Sequence, residues 1–189
     1  MTGAPECLTT SRLVLRRWSA GAAEMLRRLS ADPRVVRYVG DGQVWTAERV
    51  RETSDSVLAH WEVHGFGWWI MTLSETGQEV GLAALNHPRP GTGLDPHEFE
   101  IGWWLAPEMW LRGLTGEAAL AVRDDAFGRL DAPSVVARLQ PANLGSAGVA
   151  RRIGMVHERD TTGPSGEPLA IYRGRRPSGA PWSEAEALA

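Results

Sequence analysis

Three apolar runs in the middle of the chain stand too close together to be separated by helices. Gly67–Leu73 (GWWIMTL), Glu79–Leu85 (EVGLAAL) and His97–Leu105 (HEFEIGWWL) each read as a strand. Between the first two lies only the turn-like Ser74-Glu75-Thr76-Gly77-Gln78. Between the second and third lies a loop rich in Pro and Gly, His87–Pro96. Connections this short make neighbouring strands antiparallel. The next connection differs. Gly113–Leu130 carries the best helical pattern in the chain, with Ala118, Leu120, Ala121, Val122 and Phe127 as apolar positions, and Ser134–Leu139 follows as a buried-looking strand. A strand–helix–strand unit of that kind is parallel and right-handed. A chain with both kinds of connection makes a mixed sheet.

The remaining segments complete the order. Arg12–Trp18 (RLVLRRW) alternates as a strand does, and Ser19 then caps a helix over about Ala20–Ser30 that Asp32-Pro33 breaks. Val35–Val39 is a short turn or helix. Thr46 caps a helix to about Val63, with Val50, Val57, Leu58 and Trp61 inward and Gly65 stopping it. Leu144–Ile153 is a short helix ending at Gly154, and Met155–Asp160 and Leu169–Arg173 are the last strands. The expectation is an α/β (α+β mixed sheet) fold of about seven strands with helices on both faces. One domain covers residues 1–174, and 175–189 is a polar tail.

Composition removes several functions. A chain of 189 residues, 43% hydrophobic and 23% charged, suits a globular protein with one core. No apolar stretch is long enough to span a bilayer, and the opening MTGAPECLTT lacks a secretory pattern, so a cytoplasmic protein without a membrane partner is expected. All 20 basic residues are Arg, which excludes a catalytic, Schiff-base or P-loop Lys. The net charge of −3 argues against a nucleic-acid partner. Cys7 is the only cysteine and has no base or pocket in view, which disfavours an acyl-cysteine mechanism. His60 and His64 stand at i and i+4, but Glu62 lies between them rather than after His60, and no third ligand is apparent, so no metal is expected.

The chemistry concentrates in Glu100–Ala118 (EIGWWLAPEMWLRGLTGEA), where a strand ends and a helix begins at Arg112-Gly113-Leu114-Thr115-Gly116. Glycine here lets backbone N–H groups approach a bound group, and the positive end of the helix suits a pyrophosphate. Many helices start near glycine, so the neighbouring residues decide. Glu100-Ile101-Gly102-Trp103-Trp104-Leu105 and Pro107-Glu108-Met109-Trp110-Leu111-Arg112-Gly113 resemble a motif of the GNAT acetyltransferase superfamily. The closer resemblance is to its RimJ/RimL-like branch, which reads E-L-G-Y-W-L and then P-E-x-W-G-x-G-Y-A-T-E-A. Glu117-Ala118 restores the match. Pro141-Ala142-Asn143-Leu144-Gly145-Ser146 through Gly154-Met155 resembles the branch's P-x-N-x-x-S…G-F element, and Thr10-Ser11-Arg12-Leu13-Val14-Leu15-Arg16 resembles its opening. The likeness runs from about Thr10 to Arg173.

That resemblance implies an acyl-CoA N-acyltransferase fold and an enzyme that moves an acetyl group from acetyl-CoA to an amine by direct attack in a ternary complex. It implies a bulged strand at Glu100–Leu105 that splays from Ser134–Leu139, with pantetheine pairing to backbone near Trp104 and Leu105. Arg112, Gly113, Leu114, Thr115 and Gly116 would hold the pyrophosphate, and an N–H near Trp104 or Leu105 would polarise the thioester carbonyl. Glu100 is the preferred base, with Glu98 two residues away on the same face; ion-pairing of both, and relay through water, stay open. Many members use a Tyr as proton donor to the thiolate; that position is Ala150, and Ser146 is the replacement. Asn143 binds the pantetheine arm or caps the helix. The amine is a protein N-terminus or a small molecule, and a homodimer stays open. Leu111, Leu114 and Thr115 depart from the family pattern, which keeps a catalytically degenerate CoA-binding regulatory protein as the alternative; an unrelated α+β binding module is a third.

Nine Trp is high for this length. Trp103 and Trp110 are expected in the core, and Trp45, Trp61, Trp68 and Trp69 fall on segments that border the acceptor cleft in the implied fold. Arg151-Arg152 and Arg175-Arg176 either meet the adenosine phosphates or are simply solvated, and solvation is the expectation.

Overall fold

The structure is a computed structural model that describes residues 5–177. Its strands are β1 (Cys7–Thr9), β2 (Leu13–Arg17), β3 (Trp69–Leu73), β4 (Glu79–Asn86), β5 (Phe99–Leu105), β6 (Ser134–Leu139), β7 (Val156–Thr162) and β8 (Pro168–Arg175). The helices are α1 (Ala23–Ser30), α2 (Pro33–Val36), α3 (Ala47–His64), α4 (Leu114–Gly128) and α5 (Leu144–Arg152). All strands form one sheet in the order β1-β2-β3-β4-β5-β6-β8-β7. Among the described residues only β5 and β6 run parallel, as the helix between them requires.

This is the mixed α/β sheet expected, with one more strand. β1 is a three-residue edge strand paired with β2, too short to leave an alternation in the sequence, so Cys7 begins the sheet rather than preceding it and lies exposed. Residues 178–189, most of the expected tail, lie outside the described residues, and residue 175 itself closes β8.

Helix ends follow local chemistry. The Thr46 side chain accepts the Arg49 N–H and Gly65 ends α3 in the left-handed conformation. Ser19 makes no side-chain cap, and α1 begins only after the 3-10 turn Ala20–Ala22. α1 and α3 cover one face of the sheet with Met25, Leu26, Leu29, Val50, Val57 and Trp61. α4 buries Ala118, Ala119, Val122, Ala126 and Phe127, mostly small residues that bring it close to β4 and β5. Trp61 and Trp69 are core residues, 2% and 0% exposed, rather than parts of a cleft wall. Trp110 is 43% exposed instead of buried. Among the described residues no helix is long and apolar enough to cross a membrane.

Candidate active site

The sheet forks in the middle. β4 and β5 pair without interruption from Gly81 opposite Leu105 to Asn86 opposite Glu100, and β6 pairs with β8 from Ser134 opposite Arg175 to Leu139 opposite Ala170. β5 and β6 share only Phe99–Val135 and Glu100–Val136. Each strand keeps its outer partner, so the two half-sheets part. No bulge in β5 is needed; the register shifts of this sheet lie at Met71/Thr72 and His157/Arg159. Gly81 is essential to the close approach of β4 and β5, because a Cβ there would stand 2.4 Å from the Trp104 carbonyl oxygen.

Hydrogen-bond alternation decides which backbone groups face the fork. Ala106 N–H donates to the Val80 carbonyl at 2.9 Å, so the even-numbered residues of β5 turn their backbone to β4. Trp104 is therefore spent on β4. The N–H and C=O of Trp103 and the N–H of Leu105 face the opening, beyond the last pairing with β6. The Leu105 carbonyl accepts the Trp110 indole N–H at 2.8 Å. Side chains alternate too: Trp104 meets Trp45 on the α3 side, ring centroids 5.0 Å apart, and Trp103 meets α5 on the other.

At the end of β5 the chain turns into α4. Gly113 occupies the N-cap with φ +76 and no side chain caps the helix, leaving its first N–H groups open. Leu111 is held at φ +61 and is fully exposed. Arg152 lies across the same turn, its Cδ 2.9 Å from where a Cβ on Gly116 would stand, and it has no carboxylate partner among the described residues. It is exposed, in agreement with the expectation that it is solvated. Arg176 instead bonds the Asp131 carboxylate, while Arg151 and Arg175 are exposed.

Glu117, in the first turn of α4, gathers the β1–β2 turn. Its carboxylate accepts from the Thr10 hydroxyl (2.6 Å), the Ser11 hydroxyl (3.1 Å), the Arg12 N–H (2.8 Å) and the Arg12 guanidinium (2.7 and 2.6 Å). Arg12 also donates to the Arg112 carbonyl at 2.8 Å. Burial pushes the Glu117 pKa up, but the bonds from Thr10, Arg12 and Ser11 together pull it below the ordinary value.

Between the half-sheets and α3 lies an open cleft of about 1320 Å³. Glu100, Trp104, Leu105, Gly113, Thr115, Gly116, Asn143 and Ser146 all line it. The side chains of Arg112 and Leu114 do not, and Leu114 is buried in the core. Asn143 is the N-cap of α5, accepting the Ser146 N–H at 3.0 Å. The Ser146 hydroxyl oxygen accepts the Trp103 indole N–H at 3.3 Å. Glu100 is ion-paired with Arg138 at 2.7 Å, and Glu98 with Arg173 at 2.6 Å. Of the two, only Glu100 faces the cleft. Arg138 also lines the site without having been singled out, though it was readable as the cation one strand over from Glu100 in a parallel pair; Trp103, expected in the core, is half-buried and lines the cleft with Arg152.

His60 and His64 join His87 in an aromatic cluster with Phe66 and Phe99. The His60 Nε2 accepts the His87 backbone N–H at 3.3 Å, so Nδ1 carries the proton and donates to the Phe66 carbonyl at 2.8 Å. Among the described residues no cluster of His, Cys, Asp or Glu is placed to hold a metal ion. Burial, and then the neighbouring His64 and His87, hold the His60 pKa below its ordinary 6.5. The unfolded chain then binds more protons than the folded one, so stability falls as pH drops below 6.5. Thermal melts between pH 7.5 and 5.5 should show a falling midpoint, with a smaller slope in His60→Gln. Equal slopes would remove His60 from this account.

Known proteins resemble this chain in sequence and fold. The family described as an acetyltransferase (GNAT) domain matches residues 12–156. The chain is 32% identical to an acetyltransferase of Agrobacterium tumefaciens, covering 93% of this chain and 98% of that one with a TM-score of 0.77. It is 28% identical to the uncharacterised protein YkkB of Bacillus subtilis over 87% of this chain and 93% of the relative. RimL, a ribosomal L7/L12 alpha-N-protein acetyltransferase solved with coenzyme A, shares the fold at 17% identity, with 90% and 98% covered and a TM-score of 0.74. The forked sheet, the uncapped helix after it and these likenesses together make the chain a member of the GNAT acetyltransferase family.

Proposed function

We propose that the protein is an N-acetyltransferase that passes an acetyl group from acetyl-CoA to a primary amine by direct attack in a ternary complex, in the manner of the RimJ/RimL-like branch. The observation that carries this reading is the fork between β5 and β6, with unpaired backbone at Trp103 and Leu105 opening onto the bare N-terminus of α4. The residues present fit the cofactor. A pantetheine arm can pair with the free edge of β5 as an added strand, while the N–H groups from Gly113 to Gly116 and the Arg152 guanidinium suit its phosphates. Acetyl-CoA supplies an activated acyl thioester; the protein supplies position and protons.

Of the two donors aimed into the opening, the N–H groups of Trp103 and Leu105, the Leu105 N–H is our choice for polarising the acyl carbonyl. Asn143 acts by holding the start of α5, which fixes Ser146. Ser146 hydrogen-bonds the departing thiolate through its hydroxyl and relays a proton to it, solvent water returning a proton to the Ser146 oxygen in the same step. Glu100, on the acceptor side of the sheet, takes the ammonium proton through water, since its bonds to Arg138 leave lone pairs on both oxygens. Direct attack is favoured because no cysteine lines the cleft.

Thiol release from acetyl-CoA against a panel of amines, with calorimetry for coenzyme A, tests the proposal. Amine-dependent release supports it. Tight coenzyme A binding without release from any amine would leave a CoA-binding regulatory protein instead.

A further inference from the structure

The wall that meets the acceptor is the even-numbered face of β4 and β5, roofed by α3. Its charges are unevenly signed. Two acidic residues, Glu100 and Glu167, line the cleft, against four arginines, Arg49, Arg89, Arg138 and Arg152. Glu100 is already matched by Arg138 at 2.7 Å. Glu167 sits at the β7–β8 turn, where its carboxylate accepts the Ser165 N–H at 2.9 Å. Arg152 lies on Gly116 at the phosphate end. Two cations are left over on the acceptor side, in a chain whose net charge is −3.

Both are available to a ligand. Arg49, in the first turn of α3, stacks on the Trp45 ring at 4.2 Å, and Trp45 in turn packs edge-on against Trp104. Stacking fixes the guanidinium plane and leaves its edge of N–H donors free, a geometry that matches a carboxylate. Its one ion pair, with Asp41, is long at 3.7 Å and open to solvent on both sides. Arg89, in the loop after β4, engages only through its carbonyl, which the Thr92 hydroxyl bonds at 2.8 Å. Its guanidinium has no partner among the described residues. Tyr38, Trp45, Trp68 and Trp104 are half-buried along the same wall, presenting flat apolar surface that a ligand can cover.

Resting on the acetyltransferase reading above, we infer that the acceptor is a monoamine with a flat apolar body and a carboxylate close to the amine, and not a polycation. A polyamine or an aminoglycoside would bring several positive charges against Arg49 and Arg89 and find no unmatched acidic partner beyond Glu167. The carboxylate can be the α-carboxylate of a free aromatic amino acid or a side-chain carboxylate near the amino terminus of an acidic peptide. The chemistry is shared.

The test compares kcat/KM by thiol release for phenylalanine, phenylalaninamide, an amidated Phe-Glu peptide, spermidine and kanamycin, in the intact protein and in Arg49→Gln and Arg89→Gln. Phenylalanine or the Phe-Glu peptide should exceed spermidine and kanamycin by at least about 30-fold, and whichever of the two leads identifies the source. At least one of the Arg variants should lose about 10- to 100-fold on the carboxylate-bearing acceptor, mostly in KM, as expected for a charged hydrogen-bond partner. Phenylalaninamide and the KM for acetyl-CoA should move less than threefold. Preferred turnover of spermidine or kanamycin, or equal losses with and without the carboxylate, overturns the inference while leaving the acetyltransferase reading in place. Coenzyme A binding with no release from any amine overturns both.

Discussion

Ser146→Ala should lower kcat by about 100-fold while the KM for acetyl-CoA stays within about threefold, the pattern expected when a proton donor is removed from the transition state alone. The hydroxyl has a defined direction. An indole N–H can only donate, so the Trp103 bond at 3.3 Å uses a lone pair of the Ser146 oxygen and leaves its hydrogen for another acceptor. The Asn143 side-chain oxygen, accepting the Ser146 N–H at 3.0 Å, fixes the backbone beneath it. In the proposed reaction that acceptor is the departing thiolate in the fork. Trp103→Phe removes the orienting donor and keeps the ring, so it should cost about fivefold in kcat, and nothing further when Ser146 is already Ala. Wild-type turnover in Ser146→Ala would strike Ser146 from the mechanism. An equal Trp103→Phe loss in both backgrounds would reduce Trp103 to packing.

The parts legible in the sequence were those with local causes. The Thr46 and Gly65 signals bounded α3, and the strand–helix–strand spacing fixed the only parallel pair in the sheet. What escaped depends on partners far apart in the chain. Trp61 and Trp110 have the same side chain, yet Trp61 lies under the sheet and Trp110 hangs outside it, and only tertiary packing separates them. Leu105 and Trp104 could not be told apart as backbone donors until the pairing of Ala106 with Val80 set the alternation. Arg152 looks like any helix-terminal arginine until α5 is laid against Gly116. The expected kink in β5 was unnecessary because each half-sheet holds its strand from outside.

The same long-range logic predicts that Glu117→Ala destabilises the fold and weakens coenzyme A binding together. The Glu117 side chain is 16% exposed and gathers four groups of the β1–β2 turn, about 105 residues away in the chain. Removing it takes the partner of the Arg12 N–H and leaves the Thr10 hydroxyl only the longer bond to the Leu13 carbonyl at 3.2 Å. Because Arg12 itself is 49% exposed and can turn to water, the expected loss is about 2–3 kcal/mol rather than that of a fully buried pair. For a chain of this size that is a fall of about 5–10 °C in Tm. Arg12 then loses its hold on the Arg112 carbonyl, which steadies the turn leading to the open N–H groups of α4, so coenzyme A affinity should drop about tenfold. The pH dependence has a definite sign. A carboxylate whose pKa is lowered on folding adds stability above its unfolded value of 4.5 and loses it as pH falls below 4.5 toward the folded value. The gap in Tm between wild type and Glu117→Gln should therefore be full at pH 7 and shrink below pH 4.5. A Tm within about 1 °C of wild type at pH 7, or undiminished coenzyme A affinity, would mean that the β1–β2 turn and the phosphate turn are independent.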